Sequence, residues 1–232
     1  MDSIIDKYNL GETILIDKSL DWTSFDVVKK IRNTIKCKKI GHAGTLDPLA
    51  TGLLILCTGK KTKKINEYQN YPKEYIGTFV LGKTTPSHDL ETEINFVKST
   101  KNIIEKDIYN LSSSFIGIQN QIPPKFSAVK INGKRAYSLA RKNEKIILKK
   151  KEIEIFDFAI TSISMPEVNF IIKCSKGTYI RSIARDFGKK IGCGAYLGKL
   201  RRTKIGNFNV NNALKINEMI ENINKEKIES IK

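Results

Sequence analysis

A glycine-framed segment that carries one aspartate, residues 41–52 (GHAGTLDPLATG), runs directly into the apolar stretch Leu53–Cys57. Glycine adopts backbone angles that other residues reach only at a cost, so the three glycines predict a tightly turned loop. Pro48 disfavours the helical region for the residue before it, so we expect Asp47 to lie extended within a turn. The loop therefore holds a single carboxylate in a defined position. A turn-capping aspartate is the alternative interpretation.

The composition predicts a protein with a sizeable core and an anionic partner. The chain has 232 residues, of which 40% are hydrophobic, enough for one large domain or two small ones. Lysine and arginine number 41 against 24 acidic residues, which gives a net charge of +17. Such an excess indicates nucleic acid most often and an anionic membrane surface sometimes. The abundance of Lys, Ile and Asn offers a second explanation, a general composition bias, so the charge alone does not decide.

The residues that bind metals and cofactors are scarce in this chain. The four cysteines stand alone, without a CxxC pair, and the sequence contains two histidines. These are too few for a zinc site of ordinary spacing, and there is neither a Walker motif nor a GxGxxG segment. We therefore expect no metal and no cofactor. The absence of a signal peptide and of a membrane-length apolar run, together with isolated cysteines, favours a reducing cytoplasm.

Residue periodicity predicts an α+β fold, because strands and helices do not alternate regularly as they do in doubly wound folds. Predicted strands cover residues 13–16, 74–81, 126–131, 149–164, 168–175 and 198–205. Predicted helices cover residues 23–36, 62–68, 102–115, 134–143 and 178–190, with a last amphipathic helix from residue 216. A turn is predicted at Asn132-Gly133.

Three segments together resemble the TruB family of tRNA pseudouridine synthases, which make pseudouridine 55 in the T loop. They are residues 41–52, 73–82 (KEYIGTFVLG) and 176–181 (KGTYIR). The resemblance extends over residues 10–215 and implies the pseudouridine synthase fold. This fold has a mixed, largely antiparallel sheet, flanking helices and a central RNA-binding cleft. The reaction needs no cofactor, because its product is an isomer of the substrate.

The resemblance implies three catalytic residues. Asp47 would be the nucleophile, which must be ionised to attack. Tyr75, which the strand pattern alone predicts to be a core residue, would stack on the target uracil, and its hydroxyl is a candidate to remove the C5 proton. Arg181, otherwise a residue on a solvated basic helix face, would pair with Asp47, since a guanidinium binds a carboxylate bidentately.

Five further residues are implied to bind the substrate. His42 would keep the target base out of the stack, although a loop histidine is usually a plain surface residue. Lys63 would contact a phosphate, Leu200 would form an apolar wall, and Tyr179 belongs to the same segment as Arg181. Asp89 would help to hold the active-site network, and an N-cap or turn role is the alternative.

The expected organisation is a catalytic domain over residues 1–210 and an amphipathic helix with a polar tail over residues 211–232. Many family members carry a PUA-like RNA-binding domain after the catalytic part, and the residues after Asn207 are too few for one. Docking on tRNA would then depend on the basic surface of the catalytic domain. Taken alone, residues 199–204 are such a basic patch.

The predicted function is the isomerisation of uridine 55 in the T loop of tRNA by a cytoplasmic enzyme that acts as a monomer. The uridine is flipped out of its stack before Asp47 attacks ribose C1′ or base C6, and the sequence does not choose between these two atoms. Two alternatives remain open. One is a tRNA-binding or folding chaperone with secondary or lost catalysis, and the other is a pseudouridine synthase that acts on another RNA.

Overall fold

The computed structural model describes residues 4–131, 133–142, 144 and 146–229. The helices are α1 (Ile4–Leu10), α2 (Ser24–Ile35), α3 (Ile65–Asn70), α4 (Glu105–Ser113), α5 (Ala136–Ala140), α6 (Ile180–Ile191) and α7 (Ile216–Glu229). The strands are β1 (Thr13–Lys18), β2 (Ile40–His42), β3 (Ala50–Thr58), β4 (Lys73–Leu81), β5 (Lys83–Thr84), β6 (Phe96–Val97), β7 (Gly117–Gln121), β8 (Lys130–Ile131), β9 (Lys134–Arg135), β10 (Lys151–Ser164), β11 (Glu167–Cys174), β12 (Ala195–Ile205), β13 (Phe208–Asn209) and β14 (Leu214–Lys215).

The chain forms two compact units. The first comprises Met1–Tyr75 and Arg201–Lys232, and the second comprises Ile76–Leu200. Strands β4 and β12 contribute residues to both units. The compact units do not test the expected division into a catalytic domain and a tail after residue 210, because a compact unit need not be a catalytic unit. That division stays a prediction.

Strand β3 organises the first unit, in which the strand order is β14-β1-β3-β12. Strand β1 runs antiparallel to β3 and parallel to β14, so the sheet is mixed. Leu54 and Leu56 face a core built with α1, α2 and α7, whereas Leu53 and Ile55 face a second core around Tyr68. A strand that is covered on both faces needs consecutive apolar residues, which explains the apolar run after the glycine-framed segment.

Helix α2 begins and ends with recognisable caps. The Thr23 hydroxyl accepts the N–H of Asp26 at 3.0 Å, and the Asp26 carboxylate accepts the N–H of Thr23 at 3.0 Å. This reciprocal pair is a capping box, and it sets Ser24 as the first residue of the helix. At the other end, Lys36 is the C-cap with a left-handed φ of 51°. The helix start is therefore fixed by local hydrogen bonds.

The second unit is built on the strand order β4-β11-β10-β7, with β10 and β11 joined in an antiparallel hairpin. Its core is a cluster of phenylalanine rings whose centroids lie 4.2–6.1 Å apart, contributed by Phe79, Phe115, Phe158, Phe170 and Phe187. Aromatic pairs at such distances stabilise a core beyond the area they bury. Helix α6 contributes Phe187 to this cluster, and α4, with buried Ile108, packs against α6 and β10.

The predicted α+β class, with a mixed sheet and flanking helices, is confirmed. The predicted strands at 13–16, 74–81, 149–164, 168–175 and 198–205 are present, as are the helices at 23–36, 102–115, 178–190 and from 216, with ends that differ by a few residues. Residues 62–68 are instead the end of a 3₁₀ helix, Gly59–Lys64, followed by α3.

The segment 126–131 departs from its prediction as one strand, because only Lys130–Ile131 is in strand conformation. The carbonyls of Ser127 and Val129 accept the N–H groups of Tyr137 and Ala136 at 3.0 and 2.7 Å, so they bond to the start of α5 rather than to a neighbouring strand. The helix predicted over 134–143 is correspondingly shortened to α5. Asn132 of the predicted turn and the predicted helix end at residue 143 lie outside the described residues.

None of the helices in the described ranges is long and apolar enough to cross a membrane. The four cysteines are free and buried.

The left-handed C-cap of α2 offers a stability test. Lys36 is exposed, and a side chain in this conformation crowds its own backbone. We expect Lys36→Gly to raise the free energy of unfolding by about 1 kcal/mol, whereas Lys36→Ala, which keeps a Cβ, should give no comparable gain. Urea unfolding of the three proteins measures the difference. Equal gains for both variants would contradict the conformational explanation.

Candidate active site

The loop that carries Asp47 joins β2 to β3 and is closed by backbone hydrogen bonds. The N–H of Ala43 donates to the carbonyl of Ile55 at 2.9 Å, and the N–H of Ala50 donates to the carbonyl of Asp47 at 3.0 Å. The second bond closes a turn over residues 47–50, as the sequence predicts. Asp47 itself is half-buried. Its backbone is therefore held while part of its side chain remains accessible.

Helix α2 fixes the residue that precedes Asp47. The buried hydroxyl of Ser24 accepts the N–H of Leu46 at 2.9 Å and donates to the carbonyl of the same residue at 3.2 Å. Both backbone polar groups of Leu46 are thereby bound to the first residue of the helix. The sequence predicts Thr23 and Ser24 at the cap of this helix but does not predict the contact of Ser24 with Leu46.

Arg202 is a buried residue that contacts the Asp47 loop, and 1% of its surface is exposed. Its Nε donates to the carbonyl of Leu53 at 2.8 Å, its Nη2 to that of Gly44 at 3.1 Å and its Nη1 to that of Thr45 at 3.5 Å. A planar guanidinium suits this task, because it directs several donors in fixed directions. Arg202 thus binds the backbone of the loop and stabilises it. The interpretation of residues 199–204 as a basic patch did not identify this role.

The packing around Arg202 also explains a glycine of the loop. Gly52 has a φ of 103°, and a Cβ placed on it would lie 2.3 Å from the carbonyl oxygen of Arg202. Any other residue at this position would displace the strand that carries the arginine.

Lys18, the last residue of β1, is a second buried cation that contacts the loop, and it is 0% exposed. Its Nζ donates to the carbonyls of Trp22, Ser19 and Pro48 at 2.6, 3.0 and 3.3 Å. Burial lowers the pKa of Lys18 to about 8; interaction with Asp47 raises this pKa, whereas the charge of Arg202 lowers it further. The inward position could be read from the sequence, because Lys18 follows buried Ile14 and Ile16 at the two-residue spacing of β1.

His42 is the last residue of β2, is paired with Leu56 of β3, and is half-buried. Its Nδ1 is buried, and no residue in the described ranges provides it with a hydrogen bond. Burial first, and then the charge of Arg202, lower the pKa of His42, so its ring is neutral near neutral pH. His42 thus lies in a strand and is half-buried, and its contact with the substrate stays a prediction.

The two other predicted residues of the first unit occupy different surroundings. Tyr75 is buried in β4. Lys63 is exposed on the 3₁₀ helix Gly59–Lys64, which also carries Lys60, Lys61 and Lys64. Tyr75 is thus positioned by the sheet, and Lys63 lies on a basic surface segment.

In the second unit, Arg181 and Asp89 form a buried ion pair, with exposed fractions of 4% and 5%. Arg181 Nη1 lies 3.4 Å from Asp89 Oδ2 and donates to the carbonyl of Ser87 at 3.4 Å. The other carboxylate oxygen of Asp89 accepts the N–H of Glu91 at 2.9 Å. Asp89 therefore makes the turn contact that the sequence offered as one alternative and also pairs with Arg181, whereas its role in the active-site network stays a prediction.

Gln121 positions the start of the helix that carries Arg181. Its amide accepts the N–H of Tyr179 at 2.8 Å and donates to the carbonyl of Tyr179 at 3.2 Å. Tyr179 is the N-cap of α6, so the end of β7 sets where this helix begins. Sequence reasoning missed Gln121, because its partner lies 58 residues further along the chain.

Leu200 is half-buried in β12. Asp47 and Arg181 belong to different units, and the pairing that the resemblance implies stays a prediction. Within the described ranges, no group of three or more His, Cys, Asp or Glu side chains is arranged to hold a metal ion.

Two family models match consecutive parts of the chain. The model of the TruB family pseudouridylate synthase N-terminal domain matches residues 32–180, and that of the tRNA pseudouridylate synthase B C-terminal domain matches residues 181–231. The chain is 51% identical to tRNA pseudouridine synthase B of Flavobacterium johnsoniae, over 91% of this chain and 95% of the relative. It is 47% identical to the protein of that name from Phocaeicola vulgatus, over 95% and 97%.

Solved structures give a similar result for the fold. A Cbf5-Nop10-Gar1 complex matches with a TM-score of 0.72 and 25% identity, over 94% of this chain and 56% of the solved chain. An H/ACA RNP bound to a substrate RNA containing 2′-deoxyuridine matches with a TM-score of 0.73 and 22% identity, over 97% and 57%. The chain thus spans little more than half the length of these solved chains, and the second likeness concerns the fold alone.

The role of Arg202 predicts that lysine cannot replace it. A lysine keeps the charge but loses the fixed fork, so buried carbonyls of the loop lose their donors. We expect Arg202→Lys to lower the free energy of unfolding by about 2 kcal/mol, as measured by urea unfolding. Arg201→Lys is the matched control, since Arg201 pairs with Asp17 at a partly exposed position and should cost well under half as much. Similar losses for both variants would contradict the assignment.

The pKa of Lys18 predicts a distinct pH dependence of stability. Between pH 8, its folded pKa, and pH 10.5, its ordinary value, the unfolded chain binds more protons at this lysine than the folded chain. Stability therefore gains up to about 1.4 kcal/mol per pH unit from this group in that window, and nothing below it. The difference in unfolding free energy between wild type and Lys18→Met should change accordingly, whereas exposed Lys36→Met should track wild type. Parallel curves for wild type and Lys18→Met would exclude the shift.

Proposed function

Because the chain belongs to the TruB family of pseudouridylate synthases, enzymes that isomerise uridine in tRNA, we propose that it converts uridine 55 of the T loop to pseudouridine. The observation that carries the proposal is the Asp47 loop, whose backbone is bound by Ser24, Arg202 and Lys18. A loop held in this way keeps one carboxylate in a constant position, which nucleophilic catalysis requires.

Asp47 is the proposed nucleophile. Lys18, which donates to the loop at Pro48, interacts electrostatically with Asp47, and a nearby positive charge stabilises the ionised form of a carboxylate. Attack at C1′ or C6 of the flipped uridine leads to cleavage of the glycosidic bond, rotation of the uracil and formation of a bond from C5 to C1′, and the bond to Asp47 breaks so that its carboxylate is released. The C5 proton then leaves and N1 gains a proton, so the product is an isomer. The Tyr75 hydroxyl is the proposed group that removes the C5 proton.

Arg181 is the proposed partner of the Asp47 carboxylate. Support within its own unit comes from its burial and from its two fixed contacts, the Asp89 carboxylate and the Ser87 carbonyl. An arginine that is oriented by such contacts has other N–H groups directed away from them, which suits a second carboxylate. Tyr179, at the start of the same helix, and Leu200 are proposed to contact the substrate near it.

His42 and Lys63 are proposed to bind the RNA. His42 ends β2 next to the loop that carries Asp47, and this place supports a contact with the target nucleotide. Lys63 and its neighbouring lysines support a phosphate contact. With its net charge of +17, the chain is suited to the T arm of tRNA. We further propose that the enzyme acts in the cytoplasm as a monomer.

Removing the Asp47 carboxylate tests the proposal. We expect Asp47→Asn to lower tritium release from C5-labelled uridine in unmodified tRNA at least about a thousandfold, because the nucleophile is lost. Binding of tRNA should stay near wild type, since phosphate contacts dominate affinity. Asp107→Asn, an exposed change on α4, is the control and should leave turnover unchanged.

The pattern of results separates the candidate functions. Release by the wild type at uridine 55, and its loss in Asp47→Asn, would support the reaction, the position and the nucleophile together. Release mapped to another RNA position would retain the chemistry and reject the T-loop site. Tight tRNA binding by the wild type without release would favour the chaperone alternative.

A further inference from the structure

The second unit contains a cavity of about 290 Å³ that the proposed mechanism does not use. Its walls include Thr85, Pro86, His88, Arg185 and Lys189. This volume is just below the range of small-molecule sites, which measure about 300–1,000 Å³. The cavity therefore has room for one small ligand, and its chemistry can be read from the side chains that line it.

The cavity carries positive charge from α6. Arg185 and Lys189 lie four residues apart, so their side chains project from the same side of the helix. Asp186 accepts hydrogen bonds from Arg185 at 2.8 and 3.0 Å, and the carbonyl of Ile122 accepts a third at 3.1 Å. These bonds fix the orientation of the guanidinium, and the Asp186 carboxylate partly offsets its positive charge. Lys189 is exposed and forms no ion pair with any residue that the structure describes, so it supplies the uncompensated charge.

His88 adds a strained and unsatisfied group to the same cavity. Its φ is 64°, a left-handed value held by hydrogen bonds from its N–H to Thr85 at 3.2 Å and from Leu197 to its carbonyl at 2.9 Å. Backbone strain of this kind concentrates at functional positions. Across the described part of the chain, no residue forms a hydrogen bond with its imidazole, which leaves a flat ring with one donor and one acceptor available to a ligand.

The charge state of His88 follows from its surroundings. Burial first, and then the positive charges of Arg185 and Arg181, lower its pKa to about 4, while Asp186 and Asp89 oppose this shift. The ring is therefore neutral near neutral pH. An anion bound nearby would raise this pKa, which makes His88 a natural reporter of the cavity.

The remaining wall is largely apolar and includes Thr84, Thr85, Pro86 and Ala195. We propose that this cavity binds one nucleotide unit, with its phosphate on Lys189 and Arg185 and its base against Pro86 and the His88 ring. A phosphate needs the cationic side, and a base needs a flat apolar surface with a hydrogen-bonding group beside it. The inference rests on the proposed function, since an RNA substrate would supply such a unit; a free mononucleotide offers the same chemistry.

The test compares Lys189→Glu with Lys106→Glu, an exposed lysine of α4 that carries the same charge change on the same unit. The chain has two histidines, so imidazole signals in ¹H–¹⁵N NMR spectra can be assigned to His88 and His42. Uridine 5′-monophosphate should shift the His88 signals in wild type and Lys106→Glu and bind about tenfold more weakly to Lys189→Glu. Uridine without phosphate should bind more weakly than the monophosphate, and inorganic phosphate alone should shift His88 in the same direction.

Turnover of tRNA distinguishes the two sources of the nucleotide. If the unit belongs to bound RNA, Lys189→Glu should raise KM for tRNA about fivefold over Lys106→Glu with kcat unchanged. A lost mononucleotide response with an unchanged KM would indicate a free nucleotide as the ligand. No response of His88 to either phosphate compound, together with equal KM values for the two variants, would overturn the proposal. Failure of wild-type turnover would refute the proposed function alone, because the NMR titration does not depend on it.

Discussion

A buried guanidinium that binds three backbone carbonyls is the interaction on which the candidate active site depends. Arg202 is almost fully removed from water, and a charge in that environment is tolerated only when its donors find acceptors. The acceptors are the carbonyls of Gly44 and Thr45, before Asp47 in the chain, and of Leu53, after it. The loop therefore cannot relax without leaving a buried charge unsatisfied. Arg202 therefore sets the position of the loop together with Ser24 and Lys18.

The electrostatic consequences extend to the neighbours of Arg202. Its charge lowers the pKa of both Lys18 and His42, which are themselves buried next to the loop. The burial of Lys18 is nevertheless tolerated, because Lys18 donates to three carbonyls and interacts favourably with Asp47. Shifted pKa values and an unsatisfied histidine nitrogen converge on one loop, which is typical of functional sites rather than of ordinary cores. Burying these groups costs free energy. The same groups surround the loop that holds the Asp47 carboxylate in place.

Helix α6 has a comparable role in the second unit. Arg181, Arg185 and Lys189 follow one another at four-residue spacing and therefore form one line along the helix. The first of them is bound by Asp89, the second by Asp186, and the third has no acidic partner among the residues that the structure describes. The start of this line is set by Gln121 and by the bond from Ser182 to Ile122 at 2.8 Å. A single helix thus presents a proposed catalytic arginine and two of the groups that line the cavity.

Local features of this protein follow from the sequence itself. The capping threonine, the alternation of β1, the apolar run of β3 and the glycine-framed turn before it involve residues close together in the chain, and periodicity and backbone preference predict them. The tertiary structure alone decided that Arg202 is buried, that the Nδ1 of His42 is shielded from solvent, and that Ser127 and Val129 bond to α5 instead of forming a strand. The physical reason is separation along the chain. Arg202 meets its carbonyl partners about 150 residues away, and no local pattern encodes whether a charged side chain will find such acceptors once it is removed from water.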